Sequence, residues 1–450
     1  MHDPYVLSAG NIKEPPHTFA GRLKFLGPGF ILSASIVGSG ELIATTTLGA
    51  TAGFYAFWII IISCLAKVAV QLEFGKHTIL TGRTAMQCFS SLPGPRIGKG
   101  HWSVWIIFAL VLLKVIQLGG MIGSAAIVLS MLVPGVSIKL FLGVVALSLS
   151  VLLYKGFYSG VERASLVMTV SFTVLTVGAV AALTFTPYAI TLEQFLSGFA
   201  LHFSPEIVAV AIGAFGITGV ASDEIIAYNY WCLEKGYAMY TGPRDESTDW
   251  RRRADGWLRV MYLDAVVAMI IYTAVTAAFY LLGAAVLHSR GAVPEGNKLI
   301  EVVAMIYTES LGPRIRLAYL IGAFFVLYSS LFASLAFWSR LYADIFAQLG
   351  WINFYNVSLR KRLISLLVWI CPFFWVVAYL FLELPVGMIL FGGIIGSVLL
   401  LIIVYAALHF RYREFQLKTP GALYDTAFWI SILSICFVGI YGIWNVIRVL

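Results

Sequence analysis

Three carboxylates stand where an apolar chain has least reason to keep them. Glu41 follows Gly38-Ser39-Gly40, and Asp223-Glu224 follow a Gly213, Gly216, Thr218, Gly219 stretch that runs into Ala221-Ser222. Both motifs lie near the middle of long hydrophobic runs. An acid at the bilayer midplane costs roughly 2.5–3.5 kcal/mol on insertion scales, so such residues generally serve a site. Glycines around a serine or threonine weaken a helix deep in a span. Unwound backbone frees carbonyls and amides, and with carboxylates beside them these make an oxygen-rich place for a cation or a grip for a small solute. A plainer reading stands beside this one. Each acid falls in the first turn of a half-helix, where it offsets the positive dipole end by about 0.3–2 kcal/mol, and Asp223 can act as an N-cap.

The elements that must position these residues are membrane helices. Of the 450 residues, 60% are hydrophobic and only 12% charged, and the mean hydropathy is +0.90. A soluble domain carries roughly 45–50% apolar and about 25% charged residues, so both a soluble fold and a disordered chain are excluded. Eleven apolar segments are long enough to span, near 25–49, 54–78, 103–132, 137–154, 161–185, 206–233, 258–286, 315–346, 361–381, 384–409 and 426–449. They read as an all-α polytopic membrane protein, since no alternation points to a barrel. With the N-terminus inside, 22 of the 30 Lys and Arg fall on cytoplasmic segments and six outside. That asymmetry predicts a cytoplasmic N-terminus and an external C-terminus in a bacterial-type inner or plasma membrane. The net charge of +8 is then loop bias and calls for no nucleic acid.

Segments one and six each open a set of five, and breaks at matching places in two five-helix halves point to an inverted-repeat secondary transporter. The expected organisation is a cytoplasmic N-terminal segment over 1–24, a first repeat over 25–185, a second over 206–409 and a final helix over 426–449. The longest hydrophilic connection, 234–257, carries Arg251-Arg252-Arg253, and Lys298–Leu311 reads as an amphipathic surface segment.

Other intramembrane polar residues are less specific. Lys67 and Glu73 lie on segment two, Lys114 and Gln117 on segment three and Asp264 on segment seven. Lys67 reads as snorkelling or paired with an acid, and Asp264 as solvated or pairing at a gate. Ser329, Ser330 and Ser334 read as helix-packing residues. Asn229 and Tyr230 fall one to two turns below the acids, where they would line an inner vestibule. The five cysteines show no paired spacing and read as buried thiols. A Walker-type phosphate loop, a zinc-protease His-Glu motif and a hydrolase nucleophile elbow are all missing, so the chain reads as no enzyme and as needing no cofactor.

At Gly27-Pro28-Gly29-Phe30, Ala52-Gly53-Phe54, Thr81-Gly82, Gly123-Ser124-Ala125 and Glu162 the sequence resembles the Nramp family of divalent-metal transporters, remotely but over nearly the whole chain. The resemblance implies a LeuT-like fold of two inverted five-helix repeats with an eleventh helix, and movement of transition metals, usually with protons. It also marks departures. Nramp proteins carry Asp-Pro-Gly-Asn where this chain has Gly38, Ser39, Gly40 and Glu41, and Met-Pro-His-Asn where it has Ala221, Ser222, Asp223 and Glu224. The lost thioether argues against selection of soft metals. The family's acidic proton-route positions match Gln117 and Gly120, and its histidines match Asp223 and Tyr228, so proton coupling by that route is not expected.

The expected binding set is Gly38, Ser39, Glu41, Gly219, Ala221, Asp223 and Glu224, with Glu41, Asp223 and Glu224 as metal ligands and Gln117, Tyr228 and Asn229 along the pathway. The expected activity is alternating-access transport of a hard divalent cation such as Mg²⁺ or Mn²⁺, segments one and six rocking against three, four, eight and nine. An alternative is a small organic substrate, an amino acid or amine, on the same fold. A third is a non-transporting receptor with a degenerate site. The partners are the lipid bilayer and the solute. Nothing sets an oligomeric state, and a monomer is compatible with the sequence.

Overall fold

Helices follow one another almost without interruption in the computed structural model, which describes residues 3–38, 40–154, 158–201, 207–294, 296–414 and 421–449. The first segment is split into α1 (Pro28–Ile36), a π-helical stretch Gly40–Thr45 and α2 (Thr46–Ala52). Then come α3 (Phe57–Thr81), α4 (Trp102–Leu113), α5 (Val115–Leu132), α6 (Ile138–Tyr154) and α7 (Tyr158–Ala182). The sixth segment is split into α8 (Val208–Ile217) and α9 (Ser222–Lys235). The rest are α10 (Thr248–Leu282), α11 (Leu299–Leu311), α12 (Arg316–Gln348), α13 (Val357–Leu382), α14 (Pro385–His409) and α15 (Gly421–Val449). Among the described residues eight helical runs are long and apolar enough to cross a membrane, and Ile138–Tyr154 and Val170–Phe185 are shorter apolar helices. Phe373, Phe381, Leu423, Leu433, Phe437 and Ile440 stand exposed on α13 and α15, a surface suited to lipid and not to water.

Both breaks have local causes. At the first, the Gly38 amide turns back onto the Ile36 carbonyl at 2.6 Å, and a Cβ on Gly38 would collide with the Ser330 side chain of α12. At the second, Thr218 is extended and Gly219 has φ +59°, a left-handed conformation that costs a residue with a Cβ about 1–2 kcal/mol. Half-helix α8 lies backbone to backbone on α14. A Cβ on Gly216 would overlap the Gly393 carbonyl, and one on Gly393 would overlap the Gly213 carbonyl. Small residues of this kind let membrane helices approach closely where no hydrophobic force drives them together.

The long hydrophilic connection is shorter than the sequence implies. Ser247 caps α10 by accepting from the Trp250 amide at 3.1 Å, so Arg251, Arg252 and Arg253 sit on its first helical turns. A capped helix start inside a charged run leaves no hydropathy signal, which is why 234–257 reads as a loop. The Lys298–Leu311 segment is helical, with Ile300, Val303, Ile306 and Tyr307 on a buried face. A two-stranded hairpin, Arg96–Ile97 with Gly100–His101, is the one sheet among the described residues.

The N-terminal residues are strapped to the helix ends. The Tyr5 hydroxyl donates to Glu234 at 2.7 Å, Arg340 pairs with the same carboxylate at 2.6 Å, and Arg360 pairs with Asp3 at 2.8 Å. Further along, the Lys13 amide donates to the Tyr240 carbonyl at 3.0 Å and Trp257 Nε1 to the Lys13 carbonyl at 3.0 Å.

Candidate functional site

The two breaks face each other across a small cavity. Its wall includes Ser35 and Gly40 from segment one, Gln117 and Met121 from α5, Ala221, Asp223 and Glu224 from the second break, and Ser334 from α12. The cavity measures about 40 Å³, room for about three waters or one cation with part of its shell. Ser334 thus lines the cavity, whereas Ser330 does the packing expected of it, donating to the Ser35 carbonyl at 3.0 Å.

All the expected site residues but Ser39 have a definite place. Asp223 and Glu224 open α9, behind Ala221, whose side chain offers no cap. Asp223 is bound: Lys114 Nζ lies 2.6 Å from its Oδ2 and 3.4 Å from Ser222 Oγ, with the lysine fully buried. Lys114 occupies the single non-helical residue between α4 and α5. Glu224 Oε2 and Gln117 Oε1 are buried and have no hydrogen-bond partner. Glu41 does not line the cavity. It is buried in the π-helical stretch, and its Oε1 accepts from the Gly219 amide at 3.2 Å and from Thr276 Oγ1 at 3.1 Å, which staples one break to the other. Its Oε2 has no partner. Gly38 and Gly219 shape the breaks, and Ser39 lies outside the described residues.

The three acids therefore do not form one cluster, and among the described residues no group of three or more His, Cys, Asp or Glu is placed to hold a metal ion. Nor do Asn229 and Tyr230 line a vestibule, or Tyr228 a pathway: all three are buried, and the Tyr230 hydroxyl donates to Asp344 Oδ2 at 2.6 Å. The Tyr228 hydroxyl donates to Asp264 Oδ2 at 3.1 Å, and Asn229 Nδ2 donates to Thr78 Oγ1 at 2.5 Å and the Arg83 carbonyl at 3.1 Å. All three side chains turn into helix packing because α9 is buried on almost all sides. Lys67 neither snorkels nor pairs with an acid; Nζ donates to the Phe215 and Thr218 carbonyls, each at 2.6 Å. Glu73 pairs with Arg411 at 2.5 Å.

Asp264 is not solvated. It receives the Gly27 amide at 2.9 Å and the Gly29 amide at 2.6 Å, and so caps the first half-helix. That accounts for the Gly-Pro-Gly run. Proline suits the first helical position, two amides must reach one carboxylate, and a Cβ on Gly29 would press within 2.7 Å of the Asp264 carbonyl. Charged hydrogen bonds of this type contribute about 1.5–3 kcal/mol together with the local dipole. Asp264→Asn is therefore expected to speed hydrogen exchange of the Gly27, Gly29, Phe30 and Ile31 amides by about tenfold or more. Unchanged exchange there would show that the carboxylate does not hold this end of segment one.

Sequence reasoning passed over Lys114 as the partner of Asp223 and Thr276 as a clasp on Glu41. A lysine deep in a span with no acid on its own helix face must find one elsewhere, which is a usable signal. Thr276 offered none.

Two discontinuous helices meeting at a polar pocket, inside a bundle with an apolar exterior, define a multi-pass membrane protein of LeuT-like fold. Solved structures agree. A manganese transporter of Eremococcus coleocola superposes with a TM-score of 0.68 at 15% identity, covering 97% of this chain and 91% of that one. A nucleobase-cation-symport-1 family transporter superposes with a TM-score of 0.60 at 13% identity, covering 98% and 96%. No family model matches the sequence. Curated proteins named divalent metal cation transporter MntH do match it. That of Bradyrhizobium diazoefficiens is 24% identical over 273 residues, and that of Mycobacterium tuberculosis is 26% identical over 345 residues, 76% of this chain and 73% of the relative. The match spans 56% of the Bradyrhizobium protein and 58% of a Xanthomonas campestris one, little more than half their length. The chain is a remote relative of the Nramp family.

Proposed function

We propose that the protein carries a hard divalent cation, Mg²⁺ or Mn²⁺, across the membrane. The observation that carries this reading is the pair of unpartnered oxygens, Glu224 Oε2 and Gln117 Oε1, on the wall of a cavity sized for an ion at the meeting point of two broken helices. Buried polar atoms without partners are costly and rare, so a ligand that satisfies them is favoured. A partly hydrated Mg²⁺ needs only one or two carboxylates, and Glu224 supplies one while Asp223 is held by Lys114. Gln117 adds an amide oxygen, and Glu41 keeps a free oxygen just behind the first break. Sulfur on the wall is limited to the thioether of Met121, where hard oxygen donors predominate.

The activity for which the relatives are named, divalent metal cation transport, favours the same reading over an organic substrate, and so does the cavity's volume. Broken helices around a midplane site support alternating access as the mechanism. The cytoplasmic N-terminus and the eleven-span count belong to this proposal, as does the division into repeats over 25–185 and 206–409. Among the described residues no histidine lines the cavity and its one basic partner is Lys114, which supports transport without proton coupling. Purified protein in liposomes should take up Mn²⁺ saturably, with Mg²⁺ competing and no acidification of the lumen. Saturable uptake of an amino acid or amine that neither metal inhibits would overturn the reading.

A further inference from the structure

The last carbonyls of α8 have nowhere to bond within the helix. The chain breaks at Thr218–Ala221, so the amides that would complete the turn are absent. At membrane depth each orphan carbonyl costs several kcal/mol, and the negative end of the half-helix dipole adds to the demand for positive charge. In carriers built from broken helices, such C-terminal carbonyls are where a coupling cation sits. Here the place is already taken. Lys67, reaching across from α3, puts Nζ 2.6 Å from the Phe215 carbonyl and 2.6 Å from the Thr218 carbonyl, and 4.9 Å from the centre of the Phe215 ring. Ser63, one turn earlier on α3, brings its hydroxyl to 3.1 Å from the Phe215 carbonyl, 3.3 Å from the Thr218 carbonyl and 2.8 Å from Thr218 Oγ1. Both side chains are fully buried. Two carbonyls hold the ammonium, and the hydrogen-bonded Ser63 and Thr218 hydroxyls lie beside them, an oxygen-rich nook of the kind an alkali cation would occupy.

We propose that Lys67 is a tethered cation filling a monovalent-cation site at the second break, so that solute movement by this protein requires no alkali co-ion. The co-ion clause rests on the transport reading above; the nook itself does not. The geometry explains why the lysine pairs with no carboxylate although Glu41 and Glu224 flank the same break. Its charge is spent on backbone oxygens that no side chain on α8 or α9 can satisfy.

The test is to empty the nook. Lys67→Ala shortens the side chain to Cβ and leaves the four oxygens. Its melting temperature is expected to be low in choline chloride and to recover in sodium chloride or methylammonium chloride, as binding to the folded state alone requires. The wild type should melt alike in all three salts. Mn²⁺ uptake by Lys67→Ala should rise about tenfold or more between choline and sodium, while wild-type uptake stays independent of sodium. Lys67→Gln, neutral and nearly as long, fills the nook and should lose uptake in every salt while remaining folded. Three results would overturn the proposal: wild-type uptake that needs sodium, Lys67→Ala melting that ignores all three salts, or full uptake by Lys67→Gln. If Lys67→Ala binds sodium by melting temperature while neither protein moves Mn²⁺, the nook stands as a cation site and the metal-transport reading falls.

Discussion

Glu224→Gln is expected to cut Mn²⁺ uptake by about 100-fold or more while the protein melts at the same temperature or higher. The two effects have one origin. Glu224 carries the only cavity-lining charge without an ion-pair partner among the described residues, because Asp223 is held by Lys114. An unpaired buried charge is destabilising, and replacing it with a neutral side chain of the same shape relieves that strain on the fold. The same replacement removes the carboxylate that a divalent ion needs; loss even of groups supporting a metal ligand costs 10–100-fold in affinity. Opposite signs separate this from simple misfolding, which would lower both. Melting curves and uptake on the same preparation check it. Uptake within about threefold of wild type would remove Glu224 from the site.

Lys114→Met should make the fold depend on metal. Breaking a buried ion pair from one side typically costs about 3–5 kcal/mol, because the partner is left charged and unpaired. Asp223, with 13% of its side chain exposed, would be that partner. A divalent cation in the cavity would then meet two free carboxylates instead of one. The variant should melt well below wild type without metal and be raised by Mn²⁺ considerably more than wild type is. The double variant Lys114→Met, Asp223→Asn should regain stability without metal and lose the extra response. If Mn²⁺ raises single variant and wild type equally, Lys114 does not compete with the ion. On the expected outcome the lysine sets affinity within the proposed function, by holding one carboxylate in reserve.

How far the residue string reached can be judged at particular positions. Glycine and serine at 38–40 and glycines at 213, 216 and 219 marked both breaks, since loss of helix there is a local property of residues without side-chain support. The LeuT-like fold followed from those breaks, from the apolar segments and from the resemblance to Nramp proteins. Asp223 and Glu224 were placed at the right break, but their unequal states were not legible. Which acid is neutralised depends on Lys114, more than a hundred residues away, and tertiary pairing leaves no trace in spacing. Glu41 shows the same limit. Its position at the first break was readable, but its turn toward Gly219 and Thr276 depends on how α10 packs. Tyr228 and Asn229 were misplaced because a polar residue below a site suggests a wet pathway, whereas here Thr78, Arg83 and Asp264 absorb their polar groups. Depth alone gives Asp264 a solvated or gate-pairing role. Only the approach of Gly27 and Gly29 gives it a capping role.

The strap across the helix ends has a practical corollary. Asp3 and Tyr5 reach α9, α12 and α13 through Glu234, Arg340 and Arg360, and Lys13 reaches Tyr240 and Trp257. Anything fused ahead of residue 3 inherits that tether, so an affinity tag or fluorescent partner placed there presses on the same arginines that tie these helix ends together. Engineers seeking a silent handle should choose another site, while those seeking a sensor have one ready, since spreading of these helix ends must tug directly on the reporter.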